Sequence, residues 1–284
     1  MTKEPITVIA EKCVGCKLCI KACPFGAIEV KDKLAVIDLA RCTLCGACVE
    51  ACKFGAIELD KKAVPARDLS AYRNVWIFAE QREGKIQSIT YELLGEGRKL
   101  ADQLKMQLAA VLLGHNVQEK VSELTARGAD IVYVADRPEL AYFQDEPYAA
   151  ALIELIKRHK PCIMLCGATT IGRSLVSRVA VTVKAGLTAD CTGLAIDPET
   201  KNLLQTRPAF GGNIMATIVT PNHRPQMATV RHKVMKESQV EPGRAGRAVL
   251  EEIASEILKS RTQRLKFMPE VETTMNIAEA NMIV

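Results

Sequence analysis

Residues 13–23, CVGCKLCIKAC, and residues 42–52, CTLCGACVEAC, are two matching cysteine runs that decide the fold of the first sixty residues. A shift of twenty-nine residues places all four cysteines of the first run on those of the second. The same shift places the FGAIE at 25–29 on the FGAIE at 54–58. The amino-terminal part of the chain is therefore an internal duplication.

The spacing of the cysteines predicts two 4Fe-4S clusters that exchange one ligand each. Three cysteines separated by two residues surround one iron–sulfur cube, whereas the fourth, three residues further on, reaches the other cube. One predicted ligand set is Cys13, Cys16, Cys19 and Cys52, and the other is Cys42, Cys45, Cys48 and Cys23. The exchanged ligands would tie the two halves of the duplication together.

Disulfides and zinc suit this pattern less well. Disulfides are uncommon in a chain without a secretory signal, and zinc sites use paired cysteines rather than a repeated three-plus-one run. So small a module has little apolar core, so metal is expected to complete its fold. Residues 4–60 resemble a bacterial two-cluster ferredoxin domain, although Lys53 follows Cys52 where a second proline is expected. The predicted core residues are Ile28, Val30, Ala35, Ile37, Ile57 and Leu59.

Length and composition limit the function classes. The 284 residues carry a formal charge of +5, but residues 1–60 hold eight basic and eight acidic side chains, so the excess belongs to the remainder. With one Trp, five Tyr and six Phe, and no basic stripe with interleaved aromatics, nucleic-acid binding is not indicated. The sequence has neither a signal pattern nor an apolar run long enough for a membrane helix, so a cytoplasmic protein is expected.

Beyond a polar, proline-containing linker at 61–73, strands alternate with helices. Buried strands are predicted at 74–79, 109–114, 131–136 and 162–167, with helices around 117–127, 147–157 and 172–185 between and after them. A further helix is predicted with Leu100, Leu104 and Leu108 on one face, entered at 95–98. This alternation is typical of a three-layer αβα domain with a mainly parallel sheet.

After Gly186 the pattern changes to shorter extended pieces. Antiparallel strands or sheet extensions are predicted around 193–196, 203–206, 215–220 and 226–230, followed by a charged helix over 246–261. Residues 276–284 are predicted to start another apolar strand.

Six stretches from residue 74 onward resemble the alpha subunits of electron-transferring flavoproteins. The two most specific are RPAFGGN at 207–213 and RPQMATVR at 224–231. The others are LGEGRKLA at 94–101, GAD at 128–130, GATTIGRSL at 167–175 and ADCT at 189–192. The resemblance implies domain bounds of 1–60 for the ferredoxin module, 61–73 for the linker, 74–265 for the flavoprotein alpha domain, and 266–284 for a linker and the start of an FAD-binding domain.

A ferredoxin module ahead of such a subunit resembles the electron-bifurcating branch of this family. That resemblance implies FAD in a further carboxyl-terminal domain and in a beta-subunit partner, with NADH as the hydride donor. It also implies soluble ferredoxin and an acyl-CoA dehydrogenase-like partner (caffeyl-CoA reductase) or a lactate dehydrogenase partner. The chain would pass single electrons between flavin and ferredoxin, as a subunit of an oxidoreductase complex rather than as the site of hydride chemistry.

Two sets of candidate residues each have a functional and a structural interpretation. Arg207, Gly211, Gly212, Thr229 and Arg231 suit contact with the flavin of a partner subunit, or equally a structural turn and an interface salt bridge. Residues 169–173 follow a strand and open a helix, which suits an anion, or simply a helix cap at Thr170 with Gly172 packed closely.

The remaining cysteines and the histidines suggest no further catalytic site. Cys162, Cys166 and Cys191 are predicted as core residues. The four histidines are scattered, without a nucleophile arrangement beside them. The rival hypothesis is a nucleotide-binding or scaffold protein whose clusters only brace the fold.

Overall fold

A computed structural model describes residues 5–59 and 68–266, which fall in two units, Met1–Arg67 and Asp68–Val284. The first unit is built from the duplicated halves. Its elements are β1 (Ile6–Val8), α1 (Leu18–Ala22), β2 (Ile28–Lys31), β3 (Leu34–Ile37), α2 (Ala47–Ala51) and β4 (Ile57–Leu59). The two FGAIE repeats lead into β2 and β4, so the sequence duplication is also a structural one.

The strands of the first unit form two antiparallel pairs. In one pair Ile6 of β1 lies opposite Leu59 of β4, and in the other Ile28 of β2 lies opposite Ile37 of β3. The core between them contains all six predicted apolar residues together with Ile6 and the buried Cys19 and Cys48. A core this small gives little hydrophobic stabilisation by itself.

The second unit is an α/β domain around a seven-stranded parallel sheet, which confirms the predicted fold class. Its strands are β5 (Arg73–Phe78), β6 (Gln81–Arg82), β7 (Lys85–Ile86), β8 (Leu108–Gly114), β9 (Ile131–Asp136), β10 (Pro161–Gly167), β11 (Leu187–Cys191), β12 (Gly193–Ile196), β13 (Leu203–Ala209), β14 (Ile214–Ile218), β15 (Gln226–Val230) and β16 (Arg247–Leu250). Its helices are α3 (Ser88–Leu104), α4 (Val121–Ala126), α5 (Asp145–His159) and α6 (Thr170–Val183).

The order of strands in the large sheet is β11-β15-β10-β5-β8-β9-β16, and every neighbouring pair is parallel. Side chains of the central strand β5 alternate between the two faces. Val75 and Ile77 belong to one core cluster with α3 and α4, while Trp76 and Phe78 belong to the other with α5 and α6. Helices therefore cover both faces, as parallel sheets require. No helix within 5–59 and 68–266 is long and apolar enough to span a membrane.

Two smaller sheets accompany the large one. β6 and β7 form a hairpin directly after β5, and β12, β13 and β14 form an antiparallel sheet in that order. Of the extended pieces predicted after Gly186, three therefore lie in this antiparallel sheet. The fourth, β15, extends the parallel sheet instead, and β11 beside it was not predicted.

The prediction of a helix over 246–261 is wrong. Arg247–Leu250 form the edge strand β16, parallel to β9, with the Arg247 amide donating to the Asp130 carbonyl at 2.9 Å. Backbone pairing with the edge of β9 outweighs the helix propensity of this charged segment. Gly246 admits the close approach, because a Cβ there would lie 2.8 Å from the Ala129 carbonyl oxygen. Residues 276–284 lie outside the described residues.

The bounds of α3 also differ from the prediction. Leu108 does not continue the helical face of Leu100 and Leu104 but begins β8, since Lys105 takes a left-handed backbone with φ 54° and ends the helix. The helix starts before the predicted entry and runs through Gly95 and Gly97. A Cβ on Gly97 would lie 2.7 Å from Leu108 Cδ1, so the glycine lets α3 pack closely on the sheet.

Asp130, from the predicted GAD stretch, ties three parts of the second unit together. Its Oδ2 accepts from Arg98 of α3 at 2.7 Å and from the Leu108 amide at 2.9 Å, and its Oδ1 accepts from Arg244 at 2.7 Å. Burial alone would raise the pKa of this carboxyl group. The hydrogen bonds from Arg98 and Leu108 and the charge of Arg244 outweigh burial and hold the pKa below its usual value.

We expect Asp130→Asn to destabilise the second unit by about 1–3 kcal/mol at neutral pH, because the variant loses the carboxylate that two guanidinium groups share. The pKa is lowered in the folded state, so the contribution is complete above the unfolded value near pH ~4 and disappears as the pH falls further. Urea denaturation followed by the fluorescence of Trp76, the single tryptophan, measures the difference.

Asp102→Asn is the matched control, because exposed Asp102 pairs with the same Arg98 at 2.8 Å. It should cost at most about 1 kcal/mol. Equal losses in both variants, or a loss for Asp130→Asn that persists at low pH, would contradict the role of the Asp130 carboxylate.

Candidate functional site: the two cysteine cavities and the sheet edge

The eight amino-terminal cysteines surround two separate cavities in the first unit. Those lining one cavity are Cys13, Cys16, Cys19 and Cys52. Those lining the other are Cys23, Cys42, Cys45 and Cys48. Each cavity thus combines three cysteines of one run with the fourth of the other, which is the grouping that the spacing predicts.

The surroundings of the sulfurs suit iron–sulfur clusters. Backbone amides of Ala35 and Ala56 donate to the sulfurs of Cys13 and Cys52 in the first cavity, at 3.4 and 3.3 Å. The Ala27 amide donates to Cys23 of the second at 3.4 Å. Such N–H···S hydrogen bonds are among the groups that set cluster potentials.

The pKa values of the buried cysteines also bear on iron–sulfur clusters. Burial raises the pKa of the Cys19 and Cys48 thiols, and neighbouring cysteines raise it further. Holding four thiolates together therefore favours a bound cation, which the iron of a 4Fe-4S cluster would supply. In the part of the chain that is described, no three His, Cys, Asp or Glu side chains converge closely enough to hold a single metal ion.

The loops that carry the cysteines take left-handed backbone at equivalent positions of the two halves. Gly15 and its counterpart Leu44 have φ values of 68° and 56°, and Lys17 and its counterpart Gly46 have 62° and 83°. Each of these two equivalent positions has glycine in only one of the halves. Only Gly15 also faces a close neighbour, since a Cβ there would lie 2.8 Å from both Cα and the carbonyl oxygen of Lys33.

In the second unit, the segment 169–173 forms a cap and a close contact. Thr169, rather than Thr170, caps α6, its hydroxyl accepting from the Gly172 amide at 2.9 Å. A Cβ on Gly172 would lie 2.0 Å from the Gly167 carbonyl oxygen, so α6 starts tightly against the end of β10. The predicted helix cap is therefore present, but it is Thr169 instead of Thr170.

The structure brings three of the five predicted flavin contacts together. The Thr229 hydroxyl accepts from the Asp190 amide at 2.9 Å, and the Arg231 amide donates to the Cys191 carbonyl at 3.1 Å. Arg207 lies near enough to act electrostatically on the Cys191 thiol. Gly211 and Gly212 lie instead in the exposed turn between β13 and β14, and no hydrogen bond among the described residues joins them to Thr229 or Arg231.

The three remaining cysteines are core residues, as the sequence predicts. Cys162 and Cys191 pack in the core cluster that contains α3, and Cys166 packs in the cluster that contains α6. Burial raises the pKa of both Cys166 and Cys191, the latter to about 11, so these thiols stay protonated at neutral pH.

Comparison with known proteins gives two domain matches that coincide with the two units. Residues 12–56 match the model of a 4Fe-4S dicluster domain, and residues 75–258 match the model of an electron transfer flavoprotein domain. The second match covers more than half of the chain. This chain belongs to the electron transfer flavoprotein family.

Relatives include proteins of several named complexes. The electron transfer flavoprotein subunit alpha of Thermoanaerobacterium thermosaccharolyticum is 49% identical over 216 residues, which are 76% of this chain and 65% of that protein. The subunit LctC of the lactate dehydrogenase (NAD(+),ferredoxin) of Acetobacterium woodii is 44% identical over 213 residues, 75% of this chain and 50% of LctC. The acryloyl-CoA reductase electron transfer subunit beta of Anaerotignum propionicum is 39% identical over 246 residues, 78% and 67% of the two chains. This flavoprotein-family chain thus spans less than two thirds of the length of the alpha subunit that it matches.

One group of residues in this flavoprotein domain does not stand out from the sequence pattern. Glu80, Arg82, Ser88 and His232 border the start of α6 at the carboxyl-terminal edge of the sheet. An acidic residue directly after the buried strand at 74–79 was the available signal, since ligands of open α/β sheets bind beyond such strand ends.

We expect Gly15→Ala to impair cluster retention more than Gly46→Ala. Both variants place alanine in left-handed backbone, which costs roughly 1–2 kcal/mol, but only the Gly15 variant also collides with the Lys33 backbone. Anaerobic denaturation followed by visible cluster absorbance, with iron and sulfide analysis, measures the effect. If both variants lost their clusters equally, the contact with Lys33 would not distinguish the two halves.

Proposed function

We propose that this chain is the electron-transfer subunit of a flavin-based electron-bifurcating complex. When bound, the two 4Fe-4S clusters supply one-electron carriers, and FAD in a further domain and in a beta-subunit partner supplies the exchange with NADH. In this proposal the chain carries single electrons between flavin and soluble ferredoxin. The observation that carries it is the pair of crossed four-cysteine cavities in a chain of the electron transfer flavoprotein family.

We assign the ligands of the two clusters by cavity. The set Cys13, Cys16, Cys19 and Cys52 holds one cluster, and Cys23, Cys42, Cys45 and Cys48 hold the other. The support is that each set lines one cavity and that amide donors approach its sulfurs. Since Cys23 and Cys52 each serve the opposite run, the exchanged ligands would link the two halves of the unit.

We propose that Arg207, Thr229 and Arg231 approach the partner's flavin, and that Gly211 and Gly212 of the exposed turn between β13 and β14 also contact it. The first three meet around Asp190 and Cys191, and Arg231 is exposed. A guanidinium group near an anionic flavin stabilises its charge.

The partners follow from the relatives' names. LctC belongs to a complex named for lactate, NAD(+) and ferredoxin, and another relative is named for acryloyl-CoA reductase. We infer a cytoplasmic complex with an electron transfer flavoprotein beta subunit and either an acyl-CoA dehydrogenase-like partner, such as a caffeyl-CoA reductase, or a lactate dehydrogenase partner.

An anaerobic reductive titration of the chain, followed by electron paramagnetic resonance, tests the carrier role. We expect reversible uptake of about two electrons per chain at potentials near those of bacterial ferredoxins. Uptake of less than about one electron, with iron and sulfide intact, would instead support the rival hypothesis of structural clusters in a nucleotide-binding or scaffold protein.

Single cysteine substitutions test the ligand assignment. Cys16→Ala and Cys45→Ala should each lower the iron content from about eight to about four atoms per chain and slow ferredoxin reduction in the assembled complex. Cys162→Ala, which removes a core cysteine from the other unit, is the control and should retain both clusters. Unchanged ferredoxin reduction in either cavity variant would overturn the conduit role.

A further inference from the structure

The two halves of the first unit are matched copies, so a charged side chain that occurs in one half alone can be recognised. By the same shift of twenty-nine residues, Lys17 corresponds to Gly46, and Lys53 corresponds to Pro24. The residue directly before the first cysteine of each run is basic in both halves, so it does not distinguish them. Among the residues next to a ligand cysteine, the charge difference therefore comes from Lys17 and Lys53.

Both lysines adjoin the same cavity, the one lined by Cys13, Cys16, Cys19 and Cys52, which is called the Cys13 cavity below. Lys17 lines this cavity, and Lys53 directly follows the ligand Cys52. The other cavity, called the Cys23 cavity, has no charged side chain among the described residues that line it. The positive charge of the first unit is thus unequally divided between the two predicted clusters.

The two lysines are available to a partner. Both side chains are exposed, and no ion pair described within residues 5–59 includes either of them. The nearest acidic residues in the sequence, Glu11 and Glu50, lie one residue farther from the ligand cysteines than the lysines do. The local charge beside the Cys13 ligands is therefore positive.

The backbone of Lys17 shows that the fold does not require a lysine there. Lys17 has φ 62° and ψ 9°, in the left-handed region, and Gly46 has φ 83° and ψ −7° at the equivalent position. Glycine adopts this backbone without a steric penalty, whereas lysine does not. An exposed side chain kept in unfavourable backbone, where glycine serves the other half, indicates a functional position.

Exposed apolar side chains accompany the two lysines. Val14 and Phe54 also line the Cys13 cavity and are 54% and 49% exposed. Phe54 has an exposed counterpart in Phe25, but the counterpart of Val14 is the polar Thr43. Cys16, which lines the same cavity, is itself exposed. An apolar centre with a charged rim is the usual composition of a protein–protein contact, and here it lies beside a ligand sulfur.

On the basis of the electron-carrier function proposed above, we propose that the face formed by Val14, Lys17, Lys53 and Phe54 docks a small acidic iron–sulfur electron carrier. A bound 4Fe-4S cluster is anionic, because its four thiolates outweigh the positive charge of its core. An external carrier of the same chemistry is anionic for the same reason, so two such modules repel each other. Lys17 and Lys53 reduce this repulsion at the Cys13 cavity, which makes its cluster the one that meets the carrier.

Calorimetric titration of the oxidised, cluster-containing chain with an oxidised, acidic two-cluster bacterial ferredoxin tests the docking face, because no electron moves and binding alone is read. At an ionic strength of about 20 mM, Lys17→Glu should weaken binding by about tenfold. Lys53→Glu should act in the same direction. At about 200 mM, screening should remove most of the difference between the parent and these variants.

Arg41→Glu is the matched control, because it changes the net charge equally beside the other cavity. The Arg41 guanidinium donates to the carbonyl of Phe25, which lines the Cys23 cavity, at 3.3 Å. This variant should weaken ferredoxin binding by less than about threefold. Iron and sulfide analysis establishes that each variant keeps both clusters. If Lys17→Glu loses a cluster, Lys17→Gly, which copies Gly46, takes its place and should weaken binding by about threefold.

The reduction potentials provide a second readout. A positive charge stabilises the more negative, reduced state of a nearby cluster, so the cluster of the Cys13 cavity should have the higher potential of the two. Potentiometric titration followed by electron paramagnetic resonance should show that Lys17→Gly lowers the higher midpoint potential and leaves the lower one unchanged. A shift of the lower midpoint instead would contradict the assignment of the docking face to the Cys13 cavity.

Three binding results would also overturn the docking face. They are equal effects of Lys17→Glu and Arg41→Glu, ferredoxin binding that does not respond to ionic strength, and equally tight binding of a ferredoxin whose surface carboxylates have been amidated. The electron count separates this failure from failure of the carrier role. Uptake of about two electrons per chain with no preference for Lys17 overturns the docking face alone, whereas uptake of less than about one electron overturns the carrier role.

Discussion

Cys23 and Cys52 each lie with the three cysteines of the opposite run, and the first unit depends on that exchange. Its strands are three or four residues long and its helices five, and its apolar core is a handful of side chains. Without cationic iron the buried thiols of Cys19 and Cys48 favour their protonated form. We therefore expect metal binding and folding to be coupled in this unit, as in other small metal-supported domains.

The second unit is stabilised by a different constraint, the pairing of seven parallel strands with helices on both faces. Parallel strands need long connections, and these connections bring polar segments together at one edge of the sheet. At that edge, β5 and β10 send the chain to opposite faces. Glu80 and Thr169, eighty-nine residues apart in the chain, meet there by a hydrogen bond.

The two units divide the proposed work between them. The first offers thiolates to one-electron carriers, and the second carries the family's flavoprotein domain. In the second unit, the end of β11 gathers Arg207, Thr229 and Arg231.

The sequence by itself determined the cysteine grouping, the two-unit organisation and the central strands. The cysteine runs are local patterns whose spacing limits what can be ligated, and the strands at 74–79, 109–114, 131–136 and 162–167 are short buried apolar runs between polar segments. Such patterns are complete within a few residues, so they can be recognised without knowing which distant segments pack against them.

Only the tertiary structure decided which strand pairs with which. Residues 247–250 joined the edge of β9 although their composition favoured a helix, and Leu108 started a strand although it continued a helical spacing. β11 and β15 entered the parallel sheet beside β10, and Glu80 came to lie under Arg82 and beside α6. The physical reason is that backbone pairing and close packing depend on distant segments, whose positions no local pattern specifies.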